Sequence, residues 1–190
     1  FLRRRRRSRI RQDPFPPEWV PVLERQFPLF CKLSVEDREE LKTHSLVFLQ
    51  EKRFEGCEGL LITDEIRLSI AAQASLLLLN RESEYFRKLS TILVYPSNYL
   101  VPERTTGAGV VEEGRELLGE SSEEGYVVLS WDGVRSGAMN PRDGSNLVFH
   151  EFAHQLDQED GPADGAPVLE SGYAAWARVL GEEYRQLQQG

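Results

Sequence analysis

Apolar residues recur at helical spacing through about the first 80 residues, in two strand-like runs after them, and at helical spacing again toward the end of the chain. Glu18 to Phe27 reads as a short helix. A second helix runs from Ser34 toward Gln50, with Asp37 three residues after Ser34 giving a capping-box-like start. Leu41, Leu46, Phe48 and Leu49 are its candidate buried positions. Phe54 to Leu61 reads as a connector or short strand. Thr63 caps a further helix through Leu79, with Ile66, Ile70, Ala74, Leu77 and Leu78 on the inner side. This helix ends apolar almost all round, which places it at the domain centre. Ser90 to Tyr95 (STILVY) is a β-branched run that Pro96 ends, and Tyr126 to Trp131 (YVVLSW) is a second strand. Residues 103–125, rich in Gly and Glu, predict a loop or irregular hairpin. Gly107-Ala108-Gly109 within them lacks the following helix and Lys of a phosphate loop.

Asp132-Gly133 predicts a turn, and Asn140 to Gly144 a second one. Ser145 then offers an N-cap, after which Val148, Phe149, Phe152, Ala153 and Leu156 recur at helical spacing until Gly161-Pro162. A last helix spans about Pro167 to Gln189, with Tyr173, Trp176, Val179, Leu180 and Leu187 on its inner face. Helices first, then short strands, then helices again make an α+β order.

Composition adds one domain and one asymmetry. The chain has 190 residues, 40% hydrophobic and 28% charged, enough for a single globular core. Its net charge of −8 conceals +7 in the first twelve residues, where seven arginines lie between Arg3 and Arg11, and so −15 in the rest. Like-charge blocks are usually solvated and disordered. Residues 1–13 are therefore expected to be a basic disordered tail, and residues 14–190 one folded domain. Such a block can touch phospholipid headgroups at a membrane surface, whereas the acidic body argues against nucleic acid as the main partner. No window reaches 18 apolar residues, and no signal peptide is visible. Cys31 and Cys57 have no C-x-x-C spacing, which fits a reducing, cytoplasmic compartment and excludes a disulfide framework.

The chemistry concentrates at His150-Glu151-Phe152-Ala153-His154, which holds two of the three histidines. Positions i and i+4 of a helix share one face. Two imidazoles there can bind one Zn²⁺ at about 2.0–2.1 Å. Glu151, beside the first histidine, can then take a proton from a metal-activated water. This is the spacing of a zinc peptidase. Asp157, three residues after His154, is a candidate to accept that ring's free N–H, and Asp160 a weaker one. His44 has no ligand partner at metal spacing and reads as structural or exposed. Ser130 and Ser136 lack a His-Asp arrangement for serine hydrolysis. The strand YVVLSW is either an exposed edge that can hold a peptide in extended form or an ordinary core strand.

The run LVFHEFAHQLDQEDG, preceded by ILVYP and VVLSW, resembles the Mlc titration factor A family of zinc-dependent peptidases. The stretch FLQEKRFEGCEGLLITDEIRLSIAAQASLLL resembles that family's N-terminal region, so the likeness runs from about Pro14 onward. The family is similar in fold to the catalytic domain of anthrax lethal factor, a zincin. The resemblance implies a zincin-like fold with His150 and His154 as zinc ligands and Glu151 as general base. It further implies aminopeptidase-like activity on peptide substrates, and a transcriptional repressor as a protein partner. It also implies a third ligand, a Glu on a later helix within a segment like N-P-A-E-x-F-A-x-x-S-E. No such segment occurs here, so that ligand is expected beyond Gly190. Glu170, Glu182 and Glu183 are the conceivable substitutes, since catalytic zinc normally takes three protein ligands. Two function classes remain open: a zinc peptidase, and a regulatory binding protein in which the metal is incidental.

Overall fold

Ser34 Oγ accepts the Asp37 amide at 3.0 Å, and Thr63 Oγ1 accepts the Ile66 amide at 3.3 Å, so both caps read from the sequence start the two longest helices of the centre. The computed structural model describes residues 2–81, 84–101, 104–105, 111–112, 115–117, 119–121, 125–158 and 173–188. Helix α1 is Leu2–Ile10, α2 is Val20–Gln26 behind a 3₁₀ turn at Pro17–Trp19, and a second 3₁₀ turn covers Pro28–Lys32. Helix α3 (Val35–Glu51) leads into strand β1 (Arg53–Gly56), and α4 (Asp64–Leu76) into β2 (Thr91–Tyr95). Short strands follow: β3 (Tyr99–Val101), β4 (Arg104–Thr105), β5 (Val111–Glu112), β6 (Arg115–Leu117) and β7 (Gly119–Ser121). Strand β8 (Tyr126–Ser130) then precedes α5 (Trp131–Met139), α6 (Leu147–Asp157) and α7 (Tyr173–Leu187). The α+β class holds.

One sheet of four strands, in the order β1-β2-β8-β7, forms the platform. β1, β2 and β8 run parallel, with Thr91 opposite both Arg53 and Tyr126, and β7 runs antiparallel to β8. YVVLSW is therefore not the edge that the sequence offered. β8 is bonded on both sides and buried along most of its length, as its unbroken Val-Val-Leu run requires, and β7 takes the outer position. Helix α6 packs against β7 and β8 on one side and α4 and α5 on the other. Phe152 of α6 is fully buried, its ring 4.9 Å from Phe86 and 5.6 Å from Phe48.

Three further expectations change in the structure. Residues 132–133 do not turn the chain; Ser130 Oγ accepts the Gly133 amide and caps α5 instead. Gly137 in the same helix serves packing: a Cβ there would stand 2.9 Å from Asn146 Cα, so only glycine lets α5 approach the start of α6. The anticipated inner face of the last helix is not covered among the described residues, where Tyr173 is 51% exposed and Val179 and Leu180 are 47% exposed. Gly107–Gly109 lies outside the described residues.

The basic tail is the third correction. Residues 2–10 are helical, and Arg7 is only 5% exposed. Its guanidinium donates to both Glu51 carboxylate oxygens at 2.8 and 2.9 Å and to Glu84 at 3.0 Å, and it lies 4.7 Å over the Tyr85 ring. Hydrogen bonding to Glu51 outweighs the burial that opposes its charge and raises its pKa. A like-charge run folds here because one of its members is matched by carboxylates on the body, and Ile10 joins the core.

His44 is buried, as a structural histidine should be, in the same network. Arg11 donates to the Tyr85 hydroxyl at 3.0 Å, and that hydroxyl stands 2.7 Å from His44 Nδ1. With the phenol proton directed at Nδ1, Nε2–H donates to Glu40 at 3.1 Å, which is the neutral tautomer. Burial lowers the His44 pKa, more than Glu40 raises it. The unfolded chain then binds the extra proton first. Stability from this site is full above about pH 6.5 and is lost as pH falls through the depressed folded value. The expected slope is at most about 1.4 kcal/mol per pH unit. Urea melts of the protein and of His44→Gln between pH 7 and pH 5 check this: the substitution should flatten the loss.

Candidate metal centre

Two independent devices fix the start of α6, the helix that carries the histidine pair. Asn146, not Ser145, is the N-cap: its Oδ1 accepts the Phe149 amide at 2.8 Å. Its Nδ2 donates to Gln73 Oε1 at 2.8 Å, and Gln73, fully buried in α4, donates onward to the Ser69 carbonyl at 3.1 Å. One amide therefore caps α6 and ties it to the central helix. Both residues escaped the sequence reading. The signal for Gln73 was a lone amide in the apolar run IAAQASLLLL; Asn146 was masked by a second good cap beside it. Asn146→Ala should lower stability by about 1–3 kcal/mol, from the lost cap and the unpaired buried amide of Gln73. Chemical denaturation measures it; Asn146→Asp, which keeps the cap acceptor, should lose less.

The buried stripe of α6 differs from the apolar one expected. Val148, Glu151, Phe152 and Gln155 face inward, Phe149 and Leu156 are half-buried, and Ala153 is exposed. Glu151, at 5% exposure, thus occupies a position that an ordinary amphipathic helix would give to an apolar residue. Burying a carboxylate is costly unless it is used, so this placement needs a chemical reason. At the other end of α6, Lys88 donates to the Gln158 carbonyl and holds the last turn.

His150 and His154 stand exposed on the same face of α6, their rings nearly perpendicular and 4.7 Å apart at the centroids. Their Nε2 atoms converge to 3.3 Å. Two nitrogens bound to one tetrahedral ion at about 2.0–2.1 Å stand roughly 3.3 Å apart. The pair is therefore spaced as a two-imidazole metal grip, and the chemistry of the donors fits Zn²⁺. Among the described residues no third His, Cys, Asp or Glu joins them. Glu182 and Glu183 are exposed on α7, Glu182 facing Arg178 at 3.7 Å, and neither joins the pair. Glu170 and Asp160 lie outside the described residues. Asp157 is half-buried in the last turn of α6. Ser130 is spent as the cap of α5, and Ser136 lies on α5.

A cleft of about 1120 Å³ reaches His150 and Glu151 from the side of α5. Its charged lining is acidic: Asp132 and Asp143 join Glu151, and among the described residues no Lys or Arg contributes. Asn98, Ser136 and Asn140 add neutral hydrogen-bonding groups, and Phe27, Leu29 and Phe149 an apolar wall. The space suits a short peptide segment. Among the described residues no helix is long and apolar enough to cross a membrane. Cys31 and Cys57 are free thiols.

Comparison with known proteins shows which family the chain resembles. The chain is 39% identical over 187 residues to an uncharacterised protein of Synechocystis, spanning 96% of this chain and 68% of that one. It is 28% identical over 167 residues to the Mlc titration factor A of Yersinia pestis, spanning 86% of this chain and 60% of the relative. The same identity is found with that factor from Yersinia pseudotuberculosis. The profile described as glucose-regulated metallo-peptidase M90 matches residues 1–190. With a match that runs from end to end, this chain belongs to the glucose-regulated metallo-peptidase M90 family.

Proposed function

We propose that the protein is a zinc-dependent metallopeptidase of zincin type with aminopeptidase-like specificity. The observation that carries this reading is the 3.3 Å approach of His150 Nε2 to His154 Nε2 beside the buried Glu151. His150 and His154 hold the metal. The third ligand, which the family resemblance assigns to a glutamate on a later helix, has no counterpart among the described residues. A zinc ion bound by these residues would supply Lewis acidity toward the scissile carbonyl and would bring the pKa of water toward about 7. Glu151 takes the proton of the attacking water and passes it to the leaving amine. Asp157 is the candidate to accept the free N–H of His154 and so orient that ring. Strand β7, outermost in the sheet and packed on α6, offers a backbone edge on which a peptide can lie extended. The acidic lining of the cleft favours the ammonium of a free peptide N-terminus.

Hydrolysis of aminoacyl-nitroanilides tests the reading. Activity should vanish with a chelator, return with Zn²⁺, and be absent on N-acetylated substrates. Hydrolysis that ignores the chelator would overturn it.

A second reading is favoured by the similarity to the Mlc titration factor A of Yersinia. Here the protein sequesters a transcriptional repressor in the cytoplasm, and the metal is incidental. Capture of a repressor that survives both His150→Ala and chelation supports it; loss of capture in both counts against it.

A further inference from the structure

Helix α1 carries charge that the fold itself does not need. Arg7 alone is turned inward, and its bonds to Glu51 and Glu84 fix how the helix sits on α3. Arg3, Arg4, Arg5, Arg6 and Arg9 are exposed, and the helix contains no acidic residue. Arg5 and Arg9 are four residues apart, and Arg3, Arg6 and Arg9 follow one another at three, spacings at which like charges destabilise a helix. Relief within the molecule is small. Arg4 meets Glu84 at 3.8 Å across open solvent, Arg6 donates to the neutral Gln50 carbonyl, and Arg3 and Arg9 make no ion pair among the described residues. Mutual repulsion of this kind is relieved by a surface of negative charge. Because Arg7 already holds the helix in place, docking would order little more of it.

We propose that α1 is a docking surface for the anionic face of a phospholipid bilayer. The charge distribution favours a bilayer over nucleic acid. The rest of the chain carries −15, which a polyanion reaching around the body would meet. A planar bilayer touches one face only and leaves the body largely beyond the screening distance of about 8–10 Å. Arginine suits the role because its guanidinium pairs with phosphate bidentately. This inference does not depend on the peptidase reading.

Sedimentation with vesicles of phosphatidylglycerol, and of phosphatidylcholine as control, tests it on the protein and on the triple variant Arg3→Gln, Arg4→Gln, Arg9→Gln. Arg7 is retained, so the melting temperature should not move. The protein should bind phosphatidylglycerol alone, more weakly as salt rises, and the variant should bind roughly 100-fold more weakly. The proposal is overturned if the protein ignores phosphatidylglycerol, if the variant binds equally well, or if duplex DNA displaces the vesicles at lower concentration.

Discussion

Glu151→Gln is expected to reduce peptide hydrolysis by about 10²–10⁴-fold, the share that a positioned general base contributes. Zinc should stay bound, because both imidazoles remain. Glutamine matches glutamate in shape and fills the same buried position between Val148 and Phe152, so the fold should tolerate it. It cannot take a proton from water. The chemical step and zinc content therefore separate cleanly. Steady-state rates on a free-amino substrate, with metal content measured on the same sample, check the result. If zinc leaves together with turnover, Glu151 belongs to the ligand set. If the rate survives, Glu151 is not the base.

Phe152→Ala carries the second large effect. Phe152 sits in the motif between the two histidines, and its ring packs that turn of α6 onto the core. Its ring is buried edge-on against Phe86 of the loop before β2 and tilted against Phe48 of α3. Emptying that position should cost about 3–5 kcal/mol, transfer and cavity together. For a domain of this size each kcal/mol moves the melting temperature by roughly 2–4 °C, so a fall near 10 °C is expected. Metal affinity should fall as well, since the ligand spacing depends on a rigid turn of α6. Phe152→Leu, which keeps most of the volume, should lose far less in thermal denaturation. An alanine variant that melts within about 2 °C of the parent would show that the cluster is not the anchor.

The motif and its helix were legible because their signals are local. His150, Glu151 and His154 are fixed by spacing, and the caps at Ser34 and Thr63 by short-range chemistry. What escaped depends on contacts distant in sequence. Arg7 reads as one more solvated charge until Glu51 and Glu84 come to meet it. Asp132-Gly133 looks like a turn until Ser130 is seen to cap a helix through the Gly133 amide, and nothing local signals that Asn146 needs the space beside Gly137. Tyr85 and Phe86 adopt positive φ of 56° and 53°, strain that no propensity rule anticipates. They are held by full burial and by Lys52, whose ammonium donates to the Phe86 and Leu89 carbonyls at 2.8 and 2.7 Å. The position of β8 stayed open between edge and core for a related reason. Both an edge strand and a central one can be rich in valine, and only its pairing with β2 and β7 separates them.

The most direct test of the metal centre is zinc titration of the protein by calorimetry, beside His150→Ala and His154→Ala. One zinc per chain, lost or weakened at least 100-fold in each variant, is the result expected if the imidazoles bind one ion together. Zinc binding of unchanged affinity and stoichiometry in both variants would contradict it.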